Sequence, residues 1–274
     1  MDQRPIGVFD SGLGGLSAVR HLRQLLPQEN IVYFGDTGRV PYGTRSQETI
    51  RRYTAEDCDL LLSNDVKFII AACGTVSSVA PDLLNNLSVP AIGVVTPTAQ
   101  AAAAATKNGK VGILGTAATV RSASFEIALH AIDPTIQVTA TPCPLFVPLV
   151  ESGWIQPDDP VAVPMVHRYL SAVKDAGVDT LILGCTHFPL LAPIIQQELG
   201  DAVTLIDSGR ETAVLCANLL KENNQLANRE NGIAKFYVSD QPEGFSQVAE
   251  IFLGESVKQS VEMVHPGRQK KGTL

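Results

Sequence analysis

Two stretches far apart in the chain have nearly the same pattern of residues. In each, a short apolar run ends on a cysteine (Phe68 to Cys73, and Leu181 to Cys185), and an Ala-Pro pair follows seven and eight residues after that cysteine. An apolar run followed by a turn and a helical pattern predicts a buried strand that leads into a helix. Each cysteine is therefore expected at the carboxyl end of a strand, where open α/β sheets bind their ligands.

The similarity extends towards the N-terminus of each stretch. The segment around Asp10 aligns with the segment around Gly115, and Ser17 then aligns with Ser122. The chain is therefore interpreted as two related repeats of roughly a hundred residues each, which indicates duplicated domains and not a solenoid of short repeats. Chance similarity between strand-turn-helix units is the alternative explanation.

Strands and helices alternate along the whole chain, which predicts parallel sheets with helices on both faces. The predicted strands are Ile6–Phe9, Ile31–Phe34, Phe68–Ala72, Ala91–Val95, Val111–Leu114, Ile136–Thr139, Thr180–Leu183, Val203–Ile206 and Lys235–Val238. We predict an α/β fold of two pseudo-symmetric parallel-sheet domains, with the active site in the cleft between them. Residues 1–95 and 210–274 would form the first domain, and residues 96–209 the second.

The composition excludes several classes of protein. The net charge of −7 and the isoelectric point of about 5.2 argue against a nucleic-acid or anionic-membrane partner. The basic stretch from Arg268 to Lys271 is interpreted as a solvated tail. We find no signal-peptide pattern and no apolar run long enough to span a membrane, so a cytoplasmic location is expected.

The chain has five cysteines and no Cys-x-x-Cys pair, so neither a disulfide framework nor a zinc site is indicated. Cys58 and Cys216 fall within helical patterns and are interpreted as buried packing residues, whereas the role of Cys143 stays open. Cys73 and Cys185 are expected to be free thiols, and no metal ligands are predicted.

A glycine-rich segment, Asp10 to Gly15, follows the first predicted strand. Glycines at such a position let backbone N–H groups approach an anion, and a small carboxylate fits better than a nucleotide. Asp10 would either cap the next helix or meet a ligand amine or a thiol. The turn Pro41-Tyr42-Gly43 would either present backbone donors to the same cleft or be purely structural.

The densest chemical signal is Cys185-Thr186-His187. An imidazole and a helix N-terminus are expected to lower the pKa of the Cys185 thiol. A hydrolase built on Cys185 and His187 would make Cys73 dispensable, and a non-catalytic two-lobed ligand binder would need neither thiol. Two thiols facing each other across a ligand instead suit proton removal on one face and proton delivery on the other, which inverts a stereocentre.

Taken together, the Asp10–Gly15 segment, Pro41-Tyr42-Gly43, Cys73-x-Thr75 and Gly184-Cys185-Thr186-His187 resemble the glutamate racemases in order and spacing, over almost the whole chain. The resemblance implies a cofactor-independent enzyme that makes D-glutamate for bacterial peptidoglycan. It implies that Cys73 and Cys185 are the acid/base thiols, supported by Asp10 and His187 respectively. The substrate-binding positions that it implies are Asp10, Ser11, Tyr42, Gly43, Gly74, Thr75, Thr119, Thr186 and His187.

The sequence departs from this family at one position, because Gly74 stands where its members usually have asparagine. A Gly74→Asn substitution is therefore expected to be tolerated and to alter KM for glutamate more than kcat. Aspartate and hydantoin racemases share the paired cysteines, so a racemase of another small acidic amino acid such as aspartate is the alternative. No lysine lies in these motifs, which argues against a pyridoxal-phosphate cofactor. Because members of the family are commonly dimers, the resemblance also implies a homodimer.

Overall fold

The computed structural model describes residues 1–257 and 260–267, and the predicted basic tail from Arg268 to Lys271 lies outside this range. The strands in the described part are β1 (Ile6–Asp10), β2 (Ile31–Gly35), β3 (Phe68–Ala71), β4 (Ala91–Gly93), β5 (Lys110–Gly115), β6 (Gln137–Pro142), β7 (Thr180–Leu183), β8 (Thr204–Asp207), β9 (Ala234–Val238) and β10 (Val261–Met263). The α-helices are α1 (Leu16–Leu25), α2 (Gln47–Leu62), α3 (Gly74–Val79), α4 (Pro81–Asn85), α5 (Val95–Ala105), α6 (Ala117–Ser122), α7 (Ser124–Ile132), α8 (Phe146–Glu151), α9 (Ala162–Ala176), α10 (Ala192–Leu199), α11 (Ser208–Glu222) and α12 (Pro242–Leu253). Two 3₁₀ helices, Tyr42–Thr44 and Phe188–Leu191, follow β2 and β7.

The strands form two separate sheets in which every recorded pair is parallel. The first sheet has the order β10-β9-β2-β1-β3-β4, and the second has the order β6-β5-β7-β8. The central strands β1, β3 and β7 are buried along their whole length, as expected for continuous apolar runs in sheets covered on both faces. The predicted α/β fold with two parallel sheets is therefore confirmed.

The last part of the described chain adds its strands to the first sheet. There β9 pairs with β2, and β10, which was not predicted, pairs with β9. Helices α5 and α11 connect the two sheets, and the proposed domain boundaries at residues 95/96 and 209/210 fall in their first turns. Those boundaries stay a prediction.

The apolar core is continuous between the two halves. One cluster of buried residues contains Ile6 and Val8 of β1 together with Leu181 and Leu183 of β7. Helix α1 of the first half packs on α11 where the chain leaves the second sheet. Within the described residues, no helix is both long and apolar enough to cross a membrane.

Candidate active site

The two cysteines of the repeated segments occupy equivalent positions. Cys73 follows β3 and is the N-cap residue of α3, and Cys185 follows β7 and precedes the second 3₁₀ helix. Parallel strands place both residues at the carboxyl edges of their sheets, as the sequence predicts. Cys73 is only 5% exposed and Cys185 only 8% exposed, so both thiols lie in surroundings that largely exclude water.

The loops that carry these cysteines touch each other through their backbones. A Cβ atom placed on Gly74 would lie 2.6 Å from the carbonyl oxygen of Gly184, which is closer than real Cβ atoms approach backbone. The expectation that Gly74→Asn is tolerated is therefore wrong for this arrangement, because the substitution forces one of the two backbones to move. The absence of a side chain at Gly74 therefore allows a close contact between the two cysteine loops.

A second close contact joins the glycine-rich segment of the first half to the second half. A Cβ atom on Gly14 would overlap the hydroxyl oxygen of Thr186 and Nδ1 of His187. Both side chains are buried. The missing side chain at position 14 therefore lets His187 lie directly against the segment that begins with Asp10.

On the first side of this contact, the Cys73 thiol is paired with Ser11, and the Asp10 carboxylate lies near it. The Cys73 thiol donates to Oγ of Ser11 at 3.4 Å, and the Asp10 carboxylate accepts the backbone N–H of Gly12 at 3.1 Å. Burial raises the pKa of Asp10, while the charge of His187 and nearby backbone N–H groups act in the opposite direction. Burial and the nearby Asp10 carboxylate raise the pKa of Cys73 to about 12, so Cys73 is a neutral thiol near pH 7.

On the other side, Cys185 is paired with His187. Its sulfur lies 3.9 Å from Nδ1 of His187, and Nε2 of the same ring lies 3.0 Å from Oε1 of Glu151. Burial alone would lower the pKa of His187, but the contacts with Cys185 and Glu151 outweigh it and raise that pKa to about 10. His187 is therefore an imidazolium near pH 7, placed between a sulfur and a carboxylate.

Glu151 was not predicted as a site residue. It is the last residue of α8, 36 positions before His187, and no motif in the sequence points to it. Its contact with the ring depends on how α8 packs against the 3₁₀ helix after β7, which the sequence does not reveal.

A group of hydroxyls and one glycine completes the contact region. Thr75 and Thr116 approach each other at 3.4 Å across the two halves, and Thr116 lies 3.0 Å from Thr119. Gly43 is beside them, since a Cβ there would be 3.6 Å from Oγ1 of Thr116 and 3.8 Å from Oγ1 of Thr75. Thr116 was not predicted as a site residue, although it aligns with Ser11 in the internal repeat.

Tyr42 differs from the other predicted substrate-binding residues, because its polar atom is already engaged elsewhere. Its hydroxyl contacts carboxylate oxygens of Asp36 and Asp57, and the whole side chain is buried. The phenol hydroxyl is therefore already hydrogen-bonded within the first half, and the backbone of this turn is what we expect to meet a ligand.

The other three cysteines are also buried, two of them away from the contact between the two halves and one close to it. Cys58 lies in α2 and Cys216 in α11, where both pack in the apolar core as predicted. Cys143 is buried in the same apolar cluster as Cys185. In the described part of the chain, no group of three or more His, Cys, Asp or Glu side chains is arranged to hold a metal ion.

Comparison with known proteins identifies the class to which this fold and this pair of thiols belong. Residues 7–216 match the family model described as Asp/Glu/Hydantoin racemase, which is well over half of the chain. The chain therefore belongs to the Asp/Glu/hydantoin racemase family, and it is an isomerase.

Its relatives narrow the assignment within this family. The chain is 46% identical over 256 residues to the glutamate racemase of Geobacter metallireducens, covering 93% of this chain and 94% of that one. It superimposes on glutamate racemase RacE1 of Bacillus anthracis with a TM-score of 0.91 at 37% identity, covering 96% of this chain and 98% of that one. A Francisella tularensis glutamate racemase crystallised with D-glutamate gives a TM-score of 0.89 at 38% identity, with the same coverage. The chain thus falls among the glutamate racemases.

Proposed function

We propose that this protein interconverts L- and D-glutamate without a cofactor, using Cys73 and Cys185 as two acid/base groups on opposite faces of the substrate. The observation that carries this proposal is the contact between the two cysteine loops, in which each thiol has its own polar partner. A hydrolase needs one such thiol, whereas inversion of a stereocentre needs a proton acceptor and a proton donor at the same time.

In the proposed reaction one cysteine acts as a thiolate and the other as a thiol. When Cys185 is the base, its sulfur takes the α-proton, and Cys73 donates its own proton to the opposite face of the carbanion. The products are inverted glutamate, a Cys185 thiol and a Cys73 thiolate, and exchange with solvent then restores the starting state. In the reverse direction the two thiols exchange roles. His187 would stabilise the Cys185 thiolate as its imidazolium partner, and Asp10 would assist proton transfer at Cys73.

The carbanion-like transition state needs stabilisation by fixed dipoles, because no electron sink is part of this proposal. Backbone N–H groups of Ser11, Gly43, Gly74 and Thr75 would hold the carboxylates, together with the side chains of Thr119 and Thr186. Hydrogen bonds that are already oriented in a site with little water are stronger than the same bonds in solution. The near-complete burial of both thiols supports such a site.

We further propose that the D-glutamate formed in this reaction enters peptidoglycan synthesis, that the protein works in the cytoplasm and that it is a homodimer. The sequence identity to bacterial glutamate racemases supports the first two statements. Sedimentation equilibrium of the purified protein tests the third, since a monomer would contradict it.

The function is tested by chiral chromatography of purified protein incubated with L- or D-glutamate, and with L- or D-aspartate, without added cofactor. We expect glutamate to be racemised in both directions and aspartate to react far more slowly. Cys73→Ala and Cys185→Ala should each abolish racemisation. Cys58→Ala removes a buried thiol outside the site and should leave the rate nearly unchanged.

The same experiment separates the alternatives. A cysteine hydrolase would keep its activity in Cys73→Ala, and a non-catalytic binder would racemise neither amino acid and would still bind its ligand after mild thiol alkylation. Faster conversion of aspartate than of glutamate would identify an aspartate racemase.

A further inference from the structure

A buried polar cluster lies directly behind the turn that carries Gly43. The hydroxyl of Tyr42 contacts Oδ2 of Asp36 and lies 2.9 Å from Oδ2 of Asp57. All three side chains are essentially inaccessible to solvent. We call these three residues the Asp36–Tyr42–Asp57 cluster.

The number of protons in this cluster can be worked out from its geometry. A phenol has one proton and can donate it to only one of the two carboxyl groups, whereas an ionised carboxylate can only accept. If both carboxyl groups were ionised, the single phenol proton would lie in only one of the two contacts between the phenol oxygen and a carboxylate oxygen. The other contact would have no proton between its two oxygens. One of the two carboxyl groups must therefore be protonated and donate to the phenol oxygen.

The surroundings decide which carboxyl group holds that proton. Asp36 accepts from three donors, since Oγ of Ser239 lies 2.7 Å from Oδ1 and Nε of Arg39 lies 2.5 Å from Oδ2, in addition to the phenol. Several donors favour a carboxylate in its ionised form. Apart from the phenol contact, Asp57 receives one donor, Nη2 of Arg39 at 2.8 Å from its Oδ1. Burial, and then the charge of Asp36, raise the pKa of Asp57 well above its usual value.

The neighbouring charges agree with a neutral Asp57. Arg39 is the one cation in contact with this cluster in the described structure, and it also pairs with Glu56 while its guanidinium lies 4.2 Å above the Tyr53 ring. With Asp57 ionised, three carboxylates would share one cation in a buried place. A proton on Asp57 removes one of these charges.

The cluster connects the turn to two elements of the first half. Asp57 belongs to α2, and the backbone N–H of Asp36 donates to the carbonyl oxygen of Asp10 at 3.0 Å, next to the end of β1. Gly43 follows Tyr42 directly and lies beside Thr75 and Thr116. The residue whose hydroxyl is held in the cluster is therefore the direct neighbour of the Gly43 backbone at the site.

We propose that Asp57 is protonated in the folded protein and donates to Tyr42, that Tyr42 donates to Asp36, and that this chain of hydrogen bonds positions the Gly43 backbone for the substrate. The effect on the substrate rests on the proposed function, whereas the proton on Asp57 does not. Asp36, Tyr42 and Asp57 act here as positioning residues, because their side-chain polar atoms bond to one another and to neighbouring side chains of the first half.

Three substitutions test the proposal, and two of them make the same isosteric change. Asp57→Asn keeps the shape of a protonated carboxyl group, since its amide N–H can donate to Tyr42 and its oxygen can accept from Arg39. We expect KM for glutamate and the thermal midpoint to stay close to those of the unsubstituted protein. Asp36→Asn makes the same isosteric change at the ionised partner, and Tyr42→Phe removes the hydroxyl between them. Each should raise KM about tenfold with a smaller change in kcat. Both substitutions remove the hydrogen bond between the Tyr42 hydroxyl and a charged carboxylate. That bond would support the Gly43 backbone, whose contact with the substrate is made in ground and transition states alike.

The proton itself is measured independently of activity. In protein labelled with ¹³C at aspartate carboxyl carbons, one resonance near pH 7 should have the chemical shift of a protonated carboxyl group and be missing in Asp57→Asn. The NMR measurement still tests the proton on Asp57 if the protein does not racemise glutamate or if Asp36→Asn fails to fold. The proposal is overturned if no such resonance exists, if Asp57→Asn raises KM as much as Asp36→Asn does, or if Tyr42→Phe leaves KM unchanged.

Discussion

At the scale of single residues, the two thiols lie in unlike electrostatic surroundings. Cys73 lies near the Asp10 carboxylate and has a pKa of about 12, whereas Cys185 lies beside a histidine whose pKa is about 10. The resting protein is therefore expected to hold its proton on Cys73 and to have a cation next to Cys185. Such an arrangement matches the requirement for one donor and one acceptor before the substrate arrives.

The contact between Glu151 and His187 predicts a shift in the pH dependence of the rate. The Glu151 carboxylate stabilises the imidazolium, so His187 stays charged until the pH rises through about 10. Glu151→Gln should lower the pKa of His187 and move the basic limb of the kcat profile to lower pH, leaving the acidic limb in place. Profiles of both proteins with the same substrate measure this, because titration of the substrate amine is common to both. A basic limb that does not move would show that Glu151 does not act on His187.

Gly74 gives a second prediction at this scale. Gly74→Ala puts a Cβ atom 2.6 Å from the Gly184 carbonyl and must displace one cysteine loop by several tenths of an ångström. Misplacement of this order is expected to lower kcat/KM by about tenfold to a hundredfold. Gly244→Ala, in α12, is the control, because a Cβ there meets nothing closer than 3.6 Å. Equal activities of the two variants would contradict the importance of the close contact at Gly74.

At the scale of elements, the site is built from strand ends and the first turns of helices. Thr116 is the N-cap of α6: its hydroxyl accepts the backbone N–H of Thr119 at 3.2 Å while it also approaches Thr75 of the other half. One side chain therefore serves both the local helix and the contact between the two halves.

Thr116→Ala should cost about 1 kcal/mol of the free energy of unfolding, as loss of a helix cap usually does, and should also raise KM for glutamate. Ser46→Ala is a matched control, because Ser46 caps α2 in the same way at an exposed position. It should cost a similar free energy without changing KM. Denaturant unfolding and steady-state kinetics of both variants measure this, and Thr116→Ser should restore both properties. If Thr116→Ala and Ser46→Ala have the same KM, Thr116 is only a cap.

The elements also show what the sequence could and could not predict. The buried strands β1, β2, β3 and β7 were predicted to within about one residue, because an uninterrupted apolar run has one simple structural explanation. The edge strand β10 was missed, since it is short and partly exposed. The predicted strand Ala91–Val95 ends at Gly93 because Val95 already begins α5.

For the site as well, residues placed by the local sequence pattern could be predicted, whereas contacts that depend on the packing of distant segments could not. The residues that follow strand ends, such as Cys73, Cys185 and His187, could be found from the sequence, because local pattern and topology place them. Glu151 reaches His187 only through the packing of α8, and the engagement of the Tyr42 phenol depends on α2, so neither could be predicted from local pattern. The expected tolerance of Gly74→Asn failed for the same reason, because the backbone that it meets lies in the other half.

At the scale of the whole molecule, the internal repeat explains why two equivalent cysteine loops lie against each other. Each half contributes one cysteine at the same point of the same strand-to-helix turn. The partner of Cys73, Ser11, however, comes from the loop after the first strand of its half, whereas the partner of Cys185 comes from its own loop. Duplication therefore accounts for the paired cysteines, and the differences between the halves account for the different polar partners of the two thiols.

The closed contact between the halves also bears on how protons are exchanged. Both cysteines are more than nine-tenths buried, so each thiol is expected to exchange its proton with solvent mainly when the halves separate between turnovers. Protein equilibrated in heavy water before substrate is added will then carry deuterium on the donating thiol.

The most direct test of the two-thiol account is therefore the isotope in the first product. Protein equilibrated in heavy water is mixed with L-glutamate, and the two enantiomers are separated and analysed by mass spectrometry at early times. The account predicts that the first D-glutamate carries deuterium at its α-carbon while the remaining L-glutamate is still largely protiated. Substantial protium at the α-carbon of the first D-glutamate would mean that a single base carries the proton from one face to the other, and it would contradict the account.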